Sequence, residues 1–196
     1  MKILSRSAMK TTPLYFVTSN NHKVREVSAF LNWPIEGVRA DLDELQTTDL
    51  KELVTHKVRQ AWAQVNAPVM VEDTALIFHA WGDLPGPFVR FFVERVGLDG
   101  MVRALSAFED QRAEALCMIG LHDETGVRCF LGRASGRVVP PRGTQGFGWD
   151  ALFLPEGSQL TYAEMTPEVK QRFSMRARAL ESLGAYLQDS KGEKGG

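Results

Sequence analysis

Cysteine is scarce: Cys117 and Cys129 are the only two in 196 residues. A disulfide framework needs more bridges than that in a chain this long, so the fold has to be carried by its core. Both thiols sit in apolar, strand-like stretches, where a buried and reduced state is expected. Long hydrophobic runs are missing as well, and nothing approaches the roughly 20 residues of a membrane-spanning helix. Residues 1–12 are basic (Lys2, Arg6, Lys10) but lack the apolar segment of a secretory signal, and they read as a disordered leader. The expected location is the cytoplasm. Excess charge of one sign is absent: 23 basic against 24 acidic residues leave a formal net charge of −1. No global positive field is therefore available to hold a polynucleotide by its phosphates. The sequence contains no H-E-x-x-H, C-x-x-C, G-x-S-x-G or P-loop pattern, so zinc and serine-hydrolase chemistry lose their usual support. His22, His56, His79 and His122 are scattered without ligand spacing.

What is present is ordinary globular composition, 44% apolar and 24% charged, without repeats or a linker rich enough to divide the chain. The reading is one α/β domain at residues 13–189 with a mixed sheet, followed by a frayed Gly/Lys/Glu-rich tail at 190–196. Residues 14–18 and 35–40 read as strands around a helix that Trp33-Pro34 ends. Asp49 is placed to cap a helix whose apolar residues Leu50, Leu53, Val54, Val58 and Ala61 share a face. Residues 68–71 read as a strand ending at Glu72-Asp73, with extended chain resuming at 76–80. Leu84-Pro85-Gly86-Pro87 forces a turn, and helices are expected at 88–96 and 98–108. Residues 113–122 and 127–134 read as a hairpin extended by 136–139, residues 151–154 as a short strand, and 167–188 as one long final helix.

Four clusters could carry chemistry. Thr18, Ser19, Asn20 and Lys23 lie between a strand and a helix, where backbone N–H groups and the helix dipole favour an anion such as a polyphosphate. Glu72-Asp73-Thr74 put two carboxylates on opposite faces of a regular strand, so that one can face a metal or water. Hard oxygen ligands suit Mg²⁺, and Glu44 is a candidate second ligand. In the third cluster, glycines flank Phe147 and Trp149, which allows both rings to be presented from a loop; Gly148 is part of that loop and Asp150 offers acceptors to a base or metal. The fourth is Lys170, Ser174, Met175 and Arg176 on the final helix, where Lys170 and Ser174 share a face at i and i+4. Taken alone, each cluster also has a bland reading: helix capping, a solvated acidic turn, core aromatics, a solvated basic face.

In order, these clusters resemble the inosine triphosphate pyrophosphatase family. The resemblance runs from about residue 14 to 187 and is carried by Phe16-Val17-Thr18-Ser19-Asn20, Val71-Glu72-Asp73-Thr74, Leu84-Pro85-Gly86-Pro87-Phe88, Ser135-Gly136-Arg137, Gly146-Phe147-Gly148-Trp149-Asp150 and Thr161-Tyr162-Ala163-Glu164-Met165. It implies an elongated, two-lobed α/β fold with flanking helices, a substrate cleft between the lobes and a homodimer. It also implies Mg²⁺-dependent hydrolysis of ITP, dITP and XTP to the monophosphate and pyrophosphate, which cleanses the nucleotide pool. Carried over, Thr18, Ser19, Asn20 and Lys23 would hold the triphosphate, and Glu44 and Asp73 would manage Mg²⁺, with Asp73 the general base. Lys57 would neutralise phosphate charge and Thr74 would border the substrate. Phe147, Gly148 and Trp149 would flank the purine, while Asp150, Lys170, Ser174, Met175 and Arg176 would complete the pocket. No polynucleotide or membrane partner is implied.

Three positions depart from the family pattern. Met175 stands where a histidine is usual, so base discrimination is expected to rest on Arg176 and backbone donors. Gln171 replaces an asparagine, and Ala75 stands where Gly or Cys is common. The alternatives are a pyrophosphatase for a different modified nucleotide and a nucleotide-binding regulator that has lost turnover.

Overall fold

Residues 113–121 are apolar almost throughout, the pattern of a strand buried on both faces, and a short turn joins them to a second extended run. They form a long hairpin, β5 (Arg112–Asp123) and β6 (Gly126–Val138), with Asp123 opposite Gly126 and Arg112 opposite Arg137. The structure is a computed structural model and describes residues 13–193 apart from residue 20. Asn20, the expected leader at 1–12 and residues 194–196 lie outside the described residues. The remaining strands are β1 (Leu14–Val17), β2 (Ile35–Val38), β3 (Val69–Phe78), β4 (Pro85–Gly86) and β7 (Phe153–Pro155). The helices are α1 (Asn21–Leu31), α2 (Leu50–Val65), α3 (Val89–Arg95), α4 (Leu98–Leu105), α5 (Pro167–Phe173) and α6 (Met175–Glu193).

The sheet runs β2-β1-β3-β5-β6-β7, with β4 alongside β3. It is mixed, because β1 is parallel to β2 and β3 while the other pairs are antiparallel. Side chains of a strand alternate between faces, and here each face has its own core. Met70, Leu76 and Phe78 join Cys117, Ile119 and Leu121 beneath Val27 of α1 and Leu180 and Leu183 of α6. Val69, Val71 and Ala75 join Leu116 and Met118 beneath Leu50, Leu53, Val54, Val58 and Ala61 of α2. Asp49 caps α2 as its sequence predicts, accepting from the amides of Lys51 and Glu52. Among the described residues no helix is long and apolar enough to cross a membrane.

Two sequence expectations about the elements change. The strand does not end at Glu72-Asp73: β3 continues to Phe78, because β5 pairs with it over its whole length, from Val69 opposite His122 to Phe78 opposite Ala113. The final helix is two helices. Ser174 is extended (φ −73°, ψ 128°), and its hydroxyl accepts from the amides of Arg176 and Ala177, so it caps α6 rather than continuing α5. Lys170 and Ser174 consequently do not share a helix face. Smaller shifts place the short strand at 153–155 and merge residues 136–138 into β6.

The start of α6 is seated directly on β6 at Gly132. A Cβ added there would lie 1.8 Å from the Met175 carbonyl oxygen and 2.7 Å from the Ala179 nitrogen, both backbone atoms that cannot swing aside. Gly132→Ala is therefore expected to lift the N-terminus of α6 and to cost about 1–3 kcal/mol, as overpacked cores do. Urea unfolding would show it, and an unchanged midpoint would contradict this account of the glycine.

Candidate active site

The edge of β3 is covered discontinuously. β1 pairs with it only at Tyr15–Val69 and Phe16–Met70, and β4 takes over at Leu76–Gly86 and Ile77–Pro85. Among the described residues, 71–75 have no strand partner on that side. The gap lies beyond the carboxyl end of the parallel strand β1, where open α/β sheets place their ligand crevices. Thr18 and Ser19 leave β1 at this point. Thr18 is half-buried, its amide bonded to the Val38 carbonyl, and Ser19 is exposed.

Glu72 and Asp73 project from opposite faces of β3 in this gap. Asp73, on the α2 face, accepts from Lys57 Nζ at 2.6 Å, and the same ammonium lies 3.4 Å from Glu44 Oε1. Burial pulls the Lys57 pKa down, but Asp73 and then Glu44 more than offset it, leaving it above the ordinary lysine value. A cavity of about 470 Å³ opens here, within the range of small-molecule sites. It is lined by Glu44, Leu53, Lys57 and Asp73 and by Pro87, Phe88, Arg90 and Phe91.

On the α1/α6 face, Glu72 has no exposed side-chain surface. Its Oε1 accepts from Lys23 Nζ at 3.0 Å and from Arg176 Nη2 at 2.8 Å, and its Oε2 from Arg176 Nε at 2.8 Å. Burial raises the carboxyl's pKa, yet Arg176 and Lys23 together hold it below the usual carboxylate range. Thr74 lies on this face, half-buried, opposite Cys117 of β5. The Cys117 thiol is pushed well up by burial and then by Glu72, which keeps it protonated and unreactive. Cys129 is free too, but only partly buried, with Thr55 Oγ1 at 3.6 Å.

The glycine-rich loop departs from expectation in one ring. Gly143, Gly146 and Gly148 all take positive φ, and Phe147 is 63% exposed on the loop. Gly146 must lack a side chain, since a Cβ would meet Asp150 Oδ2 at 2.1 Å. That approach lets Asp150 accept from the Phe147 amide (3.0 Å) and from Lys170 Nζ (2.7 Å). Lys170 also lies over the Phe147 and Tyr162 rings, 5.7 and 5.1 Å from their centroids. Trp149, however, is only 7% exposed and packs on Phe153 (81° between rings) and Tyr162, so its ring belongs to the core and is not presented from the loop as Phe147 is. The reason is the turn at Gly148, which sends successive side chains to opposite sides. Met175 is likewise only 6% exposed and belongs to the α1/α6 core.

The structure thus gathers Lys57, Glu44 and Asp73 at one cavity, Lys23, Glu72 and Arg176 in a buried ion cluster, and Asp150, Lys170 and Phe147 at the loop. Sequence reasoning missed Arg90, Phe88 and Phe91 as cavity walls, although Leu84-Pro85-Gly86-Pro87-Phe88 was a marked stretch without a role. It also gave Glu72 no partners, because contacts 49 and 104 residues away leave no local signal.

A family model described as the Ham1 family matches residues 14–186. The chain belongs to the Ham1 family. It is 42% identical over 187 residues to the inosine triphosphate pyrophosphatase of Scheffersomyces stipitis, covering 88% of this chain and 96% of that one. The similarity to the enzyme of the same name from Pyricularia oryzae is 44% over 188 residues, covering 94% and 97%. Among solved structures, a HAM1 protein from Coxiella burnetii superposes with a TM-score of 0.82 at 26% identity, covering 91% of this chain and all (100%) of that one. The expected family and the expected mixed α/β fold with flanking helices both hold.

Proposed function

We propose that the chain hydrolyses non-standard purine nucleoside triphosphates, ITP, dITP and XTP, to the monophosphate and pyrophosphate. The observation that carries this reading is the Asp73–Lys57–Glu44 group at the mouth of the 470 Å³ cavity, in a chain over 40% identical to inosine triphosphate pyrophosphatases. Phosphoryl chemistry needs positioning and charge neutralisation more than covalent catalysis, and this set supplies both.

In this reading Asp73 is the general base. It takes a proton from the attacking water as the water oxygen bonds to the α-phosphorus; the bridging α–β P–O bond breaks and pyrophosphate leaves with the electron pair. Lys57 stays charged through neutral and mildly alkaline pH, because its pKa is raised, and it offsets phosphate charge. Thr18, Ser19, Asn20 and Lys23 hold the triphosphate at the entry to α1. Phe147 offers its exposed face to the purine, with Gly148, Asp150, Lys170, Ser174 and Arg176 around it. Mg²⁺ fits the donor set: Glu44 and Asp73 already converge on one cation, Lys57, and two carboxylates are what Mg²⁺ takes when substrate phosphates and water supply the rest. When bound there it would neutralise charge on the phosphate oxygens. Selectivity follows from donors aimed at a 6-oxo group, which a 6-amino purine would leave unpaired. A cytoplasmic homodimer completes the reading, with the exposed Leu84 and Phe91 as apolar surface available to a second copy.

The test is pyrophosphate release from ITP, dITP, XTP, GTP and ATP in the presence of Mg²⁺. Preference for the first three is expected. Release from none of them would favour a binding protein without turnover.

A further inference from the structure

Glu72 is the most completely buried charged group in the candidate site, and it cannot touch a ligand, because its side chain has no exposed surface. Both cations that cover it can. Lys23 is 23% exposed and Arg176 is 11% exposed, and each comes from the first turn of a different helix, α1 and α6. One carboxylate therefore pins two helix starts to β3. Its hold on Arg176 is two-pronged: Nε and Nη2 are engaged at 2.8 Å each, so the guanidinium plane is fixed in direction and not merely in place. The third nitrogen, Nη1, is turned away from Glu72. Among the described residues its acidic neighbour besides Glu72 is Glu26, with Oε2 at 3.8 Å, beyond hydrogen-bond reach. Among the described residues the cluster holds two cations against one buried anion, with the exposed Glu26 at its rim.

We infer that Glu72 is a positioning residue for base selectivity, aiming the Nη1 donors of Arg176 at the purine while taking no part in the chemistry. Asp73, its neighbour in sequence, serves the other face, and the β-strand alternation separates the two tasks. The inference rests on the proposed hydrolysis of 6-oxo purine triphosphates and on Arg176 as a base-contacting donor. Glu72→Gln keeps the shape but leaves one oxygen to serve three N–H donors and sets an amide N–H against them, so the guanidinium loses its fixed direction. Glu72→Asp keeps the charge on a shorter arm that cannot reach both nitrogens in line.

The experiment measures kcat and KM for ITP and for GTP with wild type, E72Q and E72D, alongside thermal unfolding of each. The ITP-to-GTP ratio of kcat/KM is expected to fall roughly 10- to 100-fold in E72Q, the size of one charge-assisted hydrogen bond. E72D should fall between E72Q and wild type, and the change should lie mainly in KM for ITP. A purely structural role would lower the unfolding temperature and the amount of active enzyme but leave that ratio alone. A folded variant with the wild-type ratio overturns the inference, and so does failure of both variants to fold, which would make Glu72 a folding residue only. Wild type that releases no pyrophosphate from ITP sinks the functional reading itself and takes this inference with it.

Discussion

Asp73→Asn is expected to lower kcat on the order of 1,000-fold with little change in stability, the loss typical of removing a general base. The side chain sits at the open edge of β3 and is about a quarter exposed, so an amide of the same shape is readily accommodated. Its oxygen can still accept from Lys57 Nζ, now at 2.6 Å from the carboxylate, and the exposed end of that pair is worth little to folding. Chemistry fares differently. An amide does not take a proton from water at neutral pH, and it is a poorer ligand for Mg²⁺ than a carboxylate. The KM for ITP should move far less than kcat, because the residues proposed to hold the triphosphate and purine are elsewhere, on the β1–α1 turn and the 143–150 loop. Steady-state pyrophosphate release, read beside the unfolding midpoint, checks this. Turnover within tenfold of wild type would remove Asp73 from the role of base.

Much of this site was legible in the sequence because its residues fall in short, marked stretches. Thr18 and Lys23 follow a strand, Asp73 stands in a run of strand residues, and Gly146-Phe147-Gly148 is a loop by composition. The two-residue hairpin turn after Asp123 and the cap at Asp49 are local chemistry, and they appear where the sequence puts them. What was hidden is set by packing. Whether Phe147 or Trp149 faces solvent depends on a positive φ at Gly148 and on Phe153 and Tyr162 beneath. The break at Ser174 was invisible to hydrophobic periodicity, since Leu180, Leu183 and Leu187 all lie beyond it within α6 and keep their helical spacing. Met175 looked like a lost base contact by comparison with a motif, but the seating of α6 on Gly132 turns it into the core.

Arg176→Leu is expected to destabilise the protein by about 3–5 kcal/mol, the cost of leaving a buried charge without its main partner. The guanidinium supplies two of the three hydrogen bonds that Glu72 accepts, and Lys23 alone would remain. The pH dependence gives this prediction its sharper form. In the wild type, Glu72's pKa is depressed, so its contribution to stability is present above the ordinary carboxylate value and is lost as pH falls through the lower folded value. Without Arg176 the largest opposing influence, burial, faces only Lys23, and the folded pKa moves upward. The variant's folded state then takes up a proton at a higher pH than the wild type's. Since stability rises on acidification wherever the native state binds more protons than the unfolded one, the variant's deficit should narrow as pH falls from neutrality toward the carboxylate range. Urea unfolding of both proteins across that range reads it directly. A deficit that is constant with pH would mean that Glu72 is not the group left exposed to the penalty, and one below about 1 kcal/mol would mean that the ion cluster is not what pins α6 to the sheet.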